Sequence, residues 1–268
     1  MDRFRERYGE WALVAGAAEG IGAAFTEVLA RRRMNVVMVD INRKAMEQLA
    51  ARMKKQYGVE IRTLPLDLAS EEAWKTCAES ITDIDCRLLV YVAAFSKVKP
   101  FFDNSPDELE QYIRVNNLTA LRMVYGFAKP LKVRSVTGGI LLISSLSGII
   151  PPPLVAPYAA TKSFLLRLAE SLSQEFSPLG IDISACAAGI TGTPTYFASQ
   201  PRESLFTPKA MDPLKVAGFA IEKLGRQAIC IPGRKNRLTC FLLTRLLPRR
   251  MSVRITGWQM RKMYAKKK

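Results

Sequence analysis

Along the first 232 residues, short apolar runs alternate with longer stretches of helical periodicity. Residues 11–15, 36–39, 59–64, 88–92, 140–144 and 181–187 read as strands, and 228–231 as a seventh. The runs lack strict alternation, the pattern of strands covered on both faces. In 20–33, Ile21, Phe25, Val28 and Leu29 share one helical face; in 43–57, Met46, Leu49, Ala50 and Met53 do. Helices also read at 70–81, with Ser70 as a cap beside Glu71 and Glu72, and at about 107–132, with Pro130 near its end. A further helix at 158–176 is stopped by Pro178 and Gly180. Repeated strand–helix units predict an α/β fold: a doubly wound, mostly parallel sheet with helices on both faces. No repeat, low-complexity block or linker divides 1–232, which reads as one domain carrying 233–268 as a basic helical extension.

Charge first points elsewhere. The 268 residues carry a formal charge of +16, which raises nucleic acid or an anionic membrane as partners. The excess is local. Residues 1–222 hold 26 Lys+Arg against 24 acids, whereas 223–268 hold 14 Lys+Arg and no acid. A near-neutral body argues against a nucleic-acid enzyme, so no nucleic-acid partner is expected. The chain has no histidine, which excludes Ser-His-Asp and Cys-His catalysis and His-ligated zinc. Cys77, Cys86, Cys186, Cys230 and Cys240 are scattered without CxxC spacing, so neither a disulfide framework nor a metal site is expected. The charged N-terminus has no apolar signal core, and no run suits a membrane span. A cytoplasmic setting is expected.

Two local patterns carry chemistry. Gly16-Ala17-Ala18-Glu19-Gly20-Ile21-Gly22 follows the first strand and opens the first helix, where a tight turn lets backbone N–H groups meet a pyrophosphate. Asp40 ends the second strand, 18 residues past Gly22, where a carboxylate accepts from a ribose 2′-hydroxyl and repels a 2′-phosphate. Glu19 adds negative charge nearby, and Arg43 just beyond opposes it. The expected cofactor is therefore NAD(H), with NADP(H) as the alternative. The other reading of Asp40 is a strand-end turn residue. Asp67, after the third strand, either meets the adenine amino group or caps the following helix. The second pattern is Tyr158-Ala159-Ala160-Thr161-Lys162, which puts Tyr and Lys on one helical face. A neighbouring ammonium lowers a phenol pKa from its usual ~10 and suits the tyrosine to acid/base work.

The ordered set of Gly16-x3-Gly20-x-Gly22, a serine 13 residues before the tyrosine, and Tyr158-x3-Lys162 resembles the short-chain dehydrogenase/reductase family over about residues 10–232. That resemblance implies a Rossmann-type fold and hydride exchange between nicotinamide and a ketone or secondary alcohol. It implies that Ser145 holds the substrate oxygen, with Ser144 as its near neighbour. Tyr158 is then the acid/base, and Lys162 tunes it and binds the nicotinamide ribose. Asn116 kinks its helix and supports a proton relay, with Asn117 beside it. Ala93 lies along the adenosine. Gly189, Ile190 and Thr193 face the nicotinamide. A homodimer or homotetramer is implied through 107–132 and 158–176. The sequence departs from the family at Ala15, where Thr is usual, at Tyr91-Val92-Ala93-Ala94, where Asn-Asn-Ala-Gly is usual, and at Ala188, where Pro is usual. These changes bear on cofactor affinity, and a scaffold that retains the fold is the competing reading.

Pro151–Val155 and the segment 194–213, with Tyr196, Phe197, Leu205 and Phe206, predict an apolar site for a hydrophobic small molecule or an acyl thioester. Beyond Gly233, Leu238, Phe241, Leu242 and Leu246 recur at helical spacing among Arg237, Thr244 and Arg245, up to Pro248. A second basic segment with Val253, Trp258, Met263 and Tyr264 ends in Lys266-Lys267-Lys268. The arrangement resembles the C-terminal ends of the 17β-hydroxysteroid dehydrogenase and long-chain 3-oxoacyl reductase type. A basic amphipathic helix lies on anionic membranes as a peripheral contact. The alternative is packing on its own domain or on a sister subunit.

Overall fold

A computed structural model describes residues 3–202 and 208–264. A short helix, α1 (Arg3–Tyr8), leads into β1 (Trp11–Ala15), α2 (Gly20–Arg31), β2 (Asn35–Asp40), α3 (Arg43–Tyr57), β3 (Ile61–Pro65), α4 (Ala73–Glu79) and β4 (Cys86–Tyr91). Then come α5 (Pro106–Ile113), α6 (Thr119–Val133), β5 (Gly138–Ser145), α7 (Ala156–Phe176), β6 (Ile181–Ala188), α8 (Pro194–Ala198), α9 (Pro213–Lys223), β7 (Ile229–Cys230), α10 (Arg234–Phe241) and α11 (Arg249–Tyr264).

All seven strands pair in parallel in the order β3-β2-β1-β4-β5-β6-β7. β1 and β4 are neighbours from which the chain winds in opposite directions, and the crevice above their carboxyl ends is where such sheets take ligands. The strands are apolar throughout because both faces are covered. On one side Phe25, Leu29, Met46, Met53 and Val216 bury against alternate strand residues such as Ala12 and Val14. On the other, Met123, Phe127, Leu165 and Leu166 cover Leu13, Leu89 and Tyr91.

The structure corrects the expected elements in three places. The long helix at 107–132 is two α-helices joined by one π-helical segment, Arg114–Leu118, with Asn116 at its middle. The helix expected from Ser70 starts at Ala73, because Ser70 spends its hydroxyl on Glu72 N and its carbonyl on Ala73 N. α1, α8 and α9 were not foreseen. α1 is held by Tyr8, whose hydroxyl donates to Asp182 at 2.7 Å, and by the ion pair of Arg7 with the same carboxylate.

Candidate active site

The turn after β1 is built on close backbone approach. Gly16 has φ +83°, and a Cβ there would stand 2.6 Å from Ala93 N. A Cβ on Gly22 would stand 1.7 Å from Gly16 O, and one on Gly20 (φ +56°) would stand 2.8 Å from Thr193 Cγ2. Each glycine therefore serves a contact that a side chain would break. Gly16, Glu19, Gly20 and Ile21 line a cavity of about 1400 Å³. It runs from the end of β2 across the crevice to the start of α7. Gly22 packs behind the turn and is not part of the lining. The long cleft, the amide-rich turn and the helix N-terminus fit a dinucleotide.

At the β2 end, Glu19, Asp40 and Asp67 line the cavity. Asp40 accepts from Ala18 N and Asn42 N, both at 2.9 Å, so it stitches the glycine turn to the strand end. It thus serves the strand-end turn and lines the cavity at once. Asn42 caps α3 and donates to Glu19 at 3.0 Å. Asp67 accepts from Ala69 N at 2.8 Å and holds its own turn. Arg43 lies along α3 in an ion pair with Glu47 at 2.8 Å and is not part of the lining.

At the other end, Ser145 closes β5, and Tyr158 and Lys162 occupy the first turns of α7; all three line the cavity. Ser145 lies near the Tyr158 phenol, which it acts to acidify, and its hydroxyl accepts from Ser147 Oγ at 2.9 Å. Ser144 is buried, and its hydroxyl donates to Lys162 O at 2.6 Å, so it braces the helix while Ser145 serves the site. Lys162 is 2% exposed, and its Nζ donates to Ile143 O at 2.7 Å. Burial brings its ammonium down to about 7. Burial also pushes the Tyr158 phenol up to about 12, against the nearby Ser145 hydroxyl that pulls it down. Burial thus sets the direction in place of the lowering expected from lysine, and the phenol holds its proton at neutral pH.

Asn116 sits behind this corner. Its amide oxygen accepts from Phe95 N at 2.7 Å, and its amide nitrogen donates to Phe95 O at 3.0 Å and Thr161 Oγ1 at 2.9 Å. Thr161 in turn donates to Tyr158 O at 2.8 Å. Asn116 therefore ties the π-segment to the catalytic helix and does not line the cavity. Asn117 donates to Thr161 O at 3.0 Å.

Ala93, Gly189, Ile190 and Thr193 complete the lining. The Thr193 hydroxyl caps α8 through Tyr196 N. Gly189 packs closely under α10: a Cβ there would stand 2.5 Å from the Asn236 side-chain amide. Asn236, Thr239, Leu243, Met260, Met263 and Tyr264 form one wall of the cavity. The C-terminal segment packs on its own chain by this inner face, through Arg202 N to Met263 O at 2.9 Å and Ser199 to Tyr264 at 2.9 Å. Its apolar stripe is turned outward, with Leu238 59% and Leu246 63% exposed. Tyr196, Pro152 and Val155 line the cavity as expected, whereas Phe197 is 62% exposed and faces away. Leu205, Phe206 and Lys266 to Lys268 lie outside the described residues.

At two of the departures from the family pattern, other groups hold the turn and the strand. Ala15 lacks a hydroxyl, but its carbonyl accepts from Val92 N at 2.8 Å and Ala93 N at 2.9 Å. Tyr91 is buried, and its hydroxyl donates to Val115 O at 2.5 Å, tying β4 to the π-segment. A tyrosine at the end of an otherwise aliphatic strand was the available signal for that tie.

Comparison with known proteins agrees. The family model for short chain dehydrogenases matches residues 10–203. The 7beta-hydroxysteroid dehydrogenase of Clostridium sardiniense is 34% identical over 234 residues, 87% of this chain and 89% of that protein. The human very-long-chain 3-oxoacyl-CoA reductase is 32% identical over 181 residues, 66% of this chain and 58% of that protein. A solved 7beta-hydroxysteroid dehydrogenase superposes with a TM-score of 0.87 at 28% identity, covering 94% of this chain and 98% of its own. The chain belongs to the short-chain dehydrogenase/reductase family, in its hydroxysteroid dehydrogenase and 3-oxoacyl reductase branch, and is an NAD(P)(H)-binding oxidoreductase acting on CH–OH and C=O groups.

Proposed function

We propose that this protein is an NAD(H)-dependent dehydrogenase/reductase that interconverts a polycyclic, hydroxysteroid-like ketone and its secondary alcohol. The observation that carries the reading is one cavity with opposite ends. Ser145, Tyr158 and Lys162 stand at one end and three carboxylates, Glu19, Asp40 and Asp67, at the other.

When bound, the nicotinamide supplies or accepts the hydride. In reduction, hydride reaches the carbonyl carbon while Tyr158 gives its phenolic proton to the oxygen. The Ser145 hydroxyl holds that oxygen in place. The phenol is suited to donate, since burial keeps it protonated to about 12. Lys162 lies with its Nζ 5.5 Å from the Tyr158 ring centroid, so its protonated form stabilises the phenolate left behind. Ser144, Asn116 and Thr161 hold the helix in register but touch no reacting atom.

The carboxylates at the β2 end favour NAD(H), because a 2′-phosphate would meet negative charge there. The substrate side is apolar, with Ile150, Val155, Leu243 and Met260 among its lining. The likeness to named 7beta-hydroxysteroid dehydrogenases extends over nearly the whole chain and supports a rigid ring system. The test is turnover of purified protein with NADH or NADPH against hydroxysteroid ketones and 3-oxoacyl-CoA thioesters. Preferential turnover of the thioesters, or a strong preference for NADPH, would overturn the respective half of the reading. The chain assembles as a homodimer or homotetramer through α5, α6 and α7, and a monomeric mass in solution would overturn that part of the reading.

A further inference from the structure

The C-terminal unit has two faces with different chemistry. Its inner face walls the cavity. Its outer face carries exposed Leu238, Phe241, Leu246, Met251, Ile255 and Trp258. On α11, Met251, Ile255 and Trp258 fall at i, i+4 and i+7 and form one stripe. Arg250, Arg254 and Arg261, at i, i+4 and i+11, run along the helix beside it, and Lys262 Nζ lies 6.0 Å from the Trp258 ring centroid. Against this stripe, α11 and the proline run at Pro151–Pro153 enclose a second cleft of about 610 Å³, lined by Arg249, Arg254 and Arg261 with apolar walls and no carboxylate.

Among the described residues nothing neutralises this charge. Residues 223–268 contain no acid, and among the described residues none of the bases in 223–264 forms an ion pair. No described helix is long and apolar enough to cross a membrane. An isologous contact with a second copy would oppose one acid-free face to another, which like charge disfavours. Nucleic acid would use the bases but leave the leucines, isoleucine and tryptophan in water. A surface that is negative outside and apolar just beneath uses both.

We propose that the outer face of α10 and α11 docks on an anionic lipid bilayer, with the stripe at the headgroup–acyl boundary and the arginine cleft seating headgroup phosphates. Docking is independent of the substrate assigned to the cavity. It places the helices that wall that cavity against the bilayer, the phase in which an apolar ketone collects.

The test is flotation of the full-length protein with vesicles of phosphatidylcholine alone and with 30% phosphatidylserine, at about 0.1 M salt where the Debye length is ~10 Å. The protein is expected to float with the anionic vesicles and not with the neutral ones. Trp258 is expected to blue-shift on binding, since its ring leaves water. Bases near an anionic surface contribute about 1 kcal/mol each, so the triple variant Arg250→Gln, Arg254→Gln, Lys262→Gln is expected to lose about a hundredfold in partition. None of these side chains lines the catalytic cavity, so turnover of a soluble ketone checks that the variant is folded. The single variant Trp258→Ser reports on the apolar half of the contact and is expected to weaken flotation. Absence of flotation with anionic vesicles, or equal flotation of the folded triple variant, overturns the proposal. So does self-association that the triple variant abolishes without any vesicle binding, which would assign the face to a second copy.

Discussion

The cavity has two walls of different origin. The wall made by β5 and α7 is held by a buried run of polar bonds: Ser144 to Lys162 O at 2.6 Å, Lys162 to Ile143 O at 2.7 Å, and Asn116 to Thr161 at 2.9 Å. The wall made by α10 and α11 presents Leu243, Met260 and Met263 to the cavity and is tied to the body at Asn236–Met211, Arg202–Met263 and Ser199–Tyr264. Buried polar groups tolerate one geometry, because a donor or acceptor left unpaired costs about 1–3 kcal/mol. Apolar packing tolerates adjustment. The first wall therefore fixes where the proton moves, and the second sets the shape of what is admitted.

The strongest test of that division is Tyr158→Phe. It deletes the transferable proton and leaves the ring, so kcat is expected to fall about 10²–10⁴-fold, the usual range for a general acid. NADH affinity, read by fluorescence titration, is expected to stay within a few-fold. Retained turnover would move the chemistry off this wall.

Lys162→Met probes the cost of that rigidity. In the folded chain burial brings the Lys162 ammonium to about 7, from an ordinary value of 10.5. Above about 10.5 the side chain is neutral whether folded or unfolded. Between 10.5 and 7 the unfolded chain binds a proton that the folded chain refuses, so this group makes stability rise with pH. Below about 7 the penalty is complete, on the order of 3–5 kcal/mol for a shift of this size. Methionine carries no such penalty. Whatever its offset from losing the Ile143 bond, the variant is expected to gain on wild type as pH falls from about 10 to 7, while turnover drops. A stability difference that is flat over this window, in denaturant melts, would show that Lys162 remains charged in the fold.

The two walls also differ in how far the sequence reveals them. Tyr158 and Lys162 are four residues apart on one helix, and Ser145 ends the strand just before it, so chain spacing nearly determines their meeting. The glycine turn is similar at Gly22, whose close approach to Gly16 O lies within the turn, whereas Gly16 itself meets Ala93 beyond β4. The C-terminal wall depends on contacts between distant segments, such as Gly189 with Asn236 and Ser199 with Tyr264. Periodicity showed an amphipathic stripe at Leu238–Leu246 but not that polar Asn236 and Thr239 would face in. The kink at Asn116 followed from resemblance; the Tyr91 tie beneath it did not, since only the fold brings Val115 O within reach.

Between the two walls lies the cofactor end, where Asp40 both stitches the turn and meets the ribose in the proposed reading. Asp40→Ala is expected to weaken NADH binding about tenfold or more, as loss of a charge-assisted bond does. NADPH is expected to lose less, or to gain, because a repulsive carboxylate goes with it. A parallel loss for both cofactors in calorimetric titration would mean that Asp40 acts only through its bonds to Ala18 and Asn42.

The smallest expected effect falls on the second wall. The Ser199–Tyr264 bond at 2.9 Å joins α8 to the last turn of α11, and both residues line the cavity. Tyr264→Phe keeps the ring and removes the tie, a change of about 1 kcal/mol for a partly buried neutral bond. That is roughly a fivefold effect, and it should fall on KM for a bulky ketone, because the wall is loosened where the substrate packs. kcat should stay within about twofold, because the run from Asn116 to Tyr158 does not pass through Tyr264. A small ketone that does not reach α11 should show no change in either constant. Were kcat to fall with KM unchanged, the two walls would be mechanically coupled, and the C-terminal unit would belong to the catalytic geometry as well as to the substrate's shape.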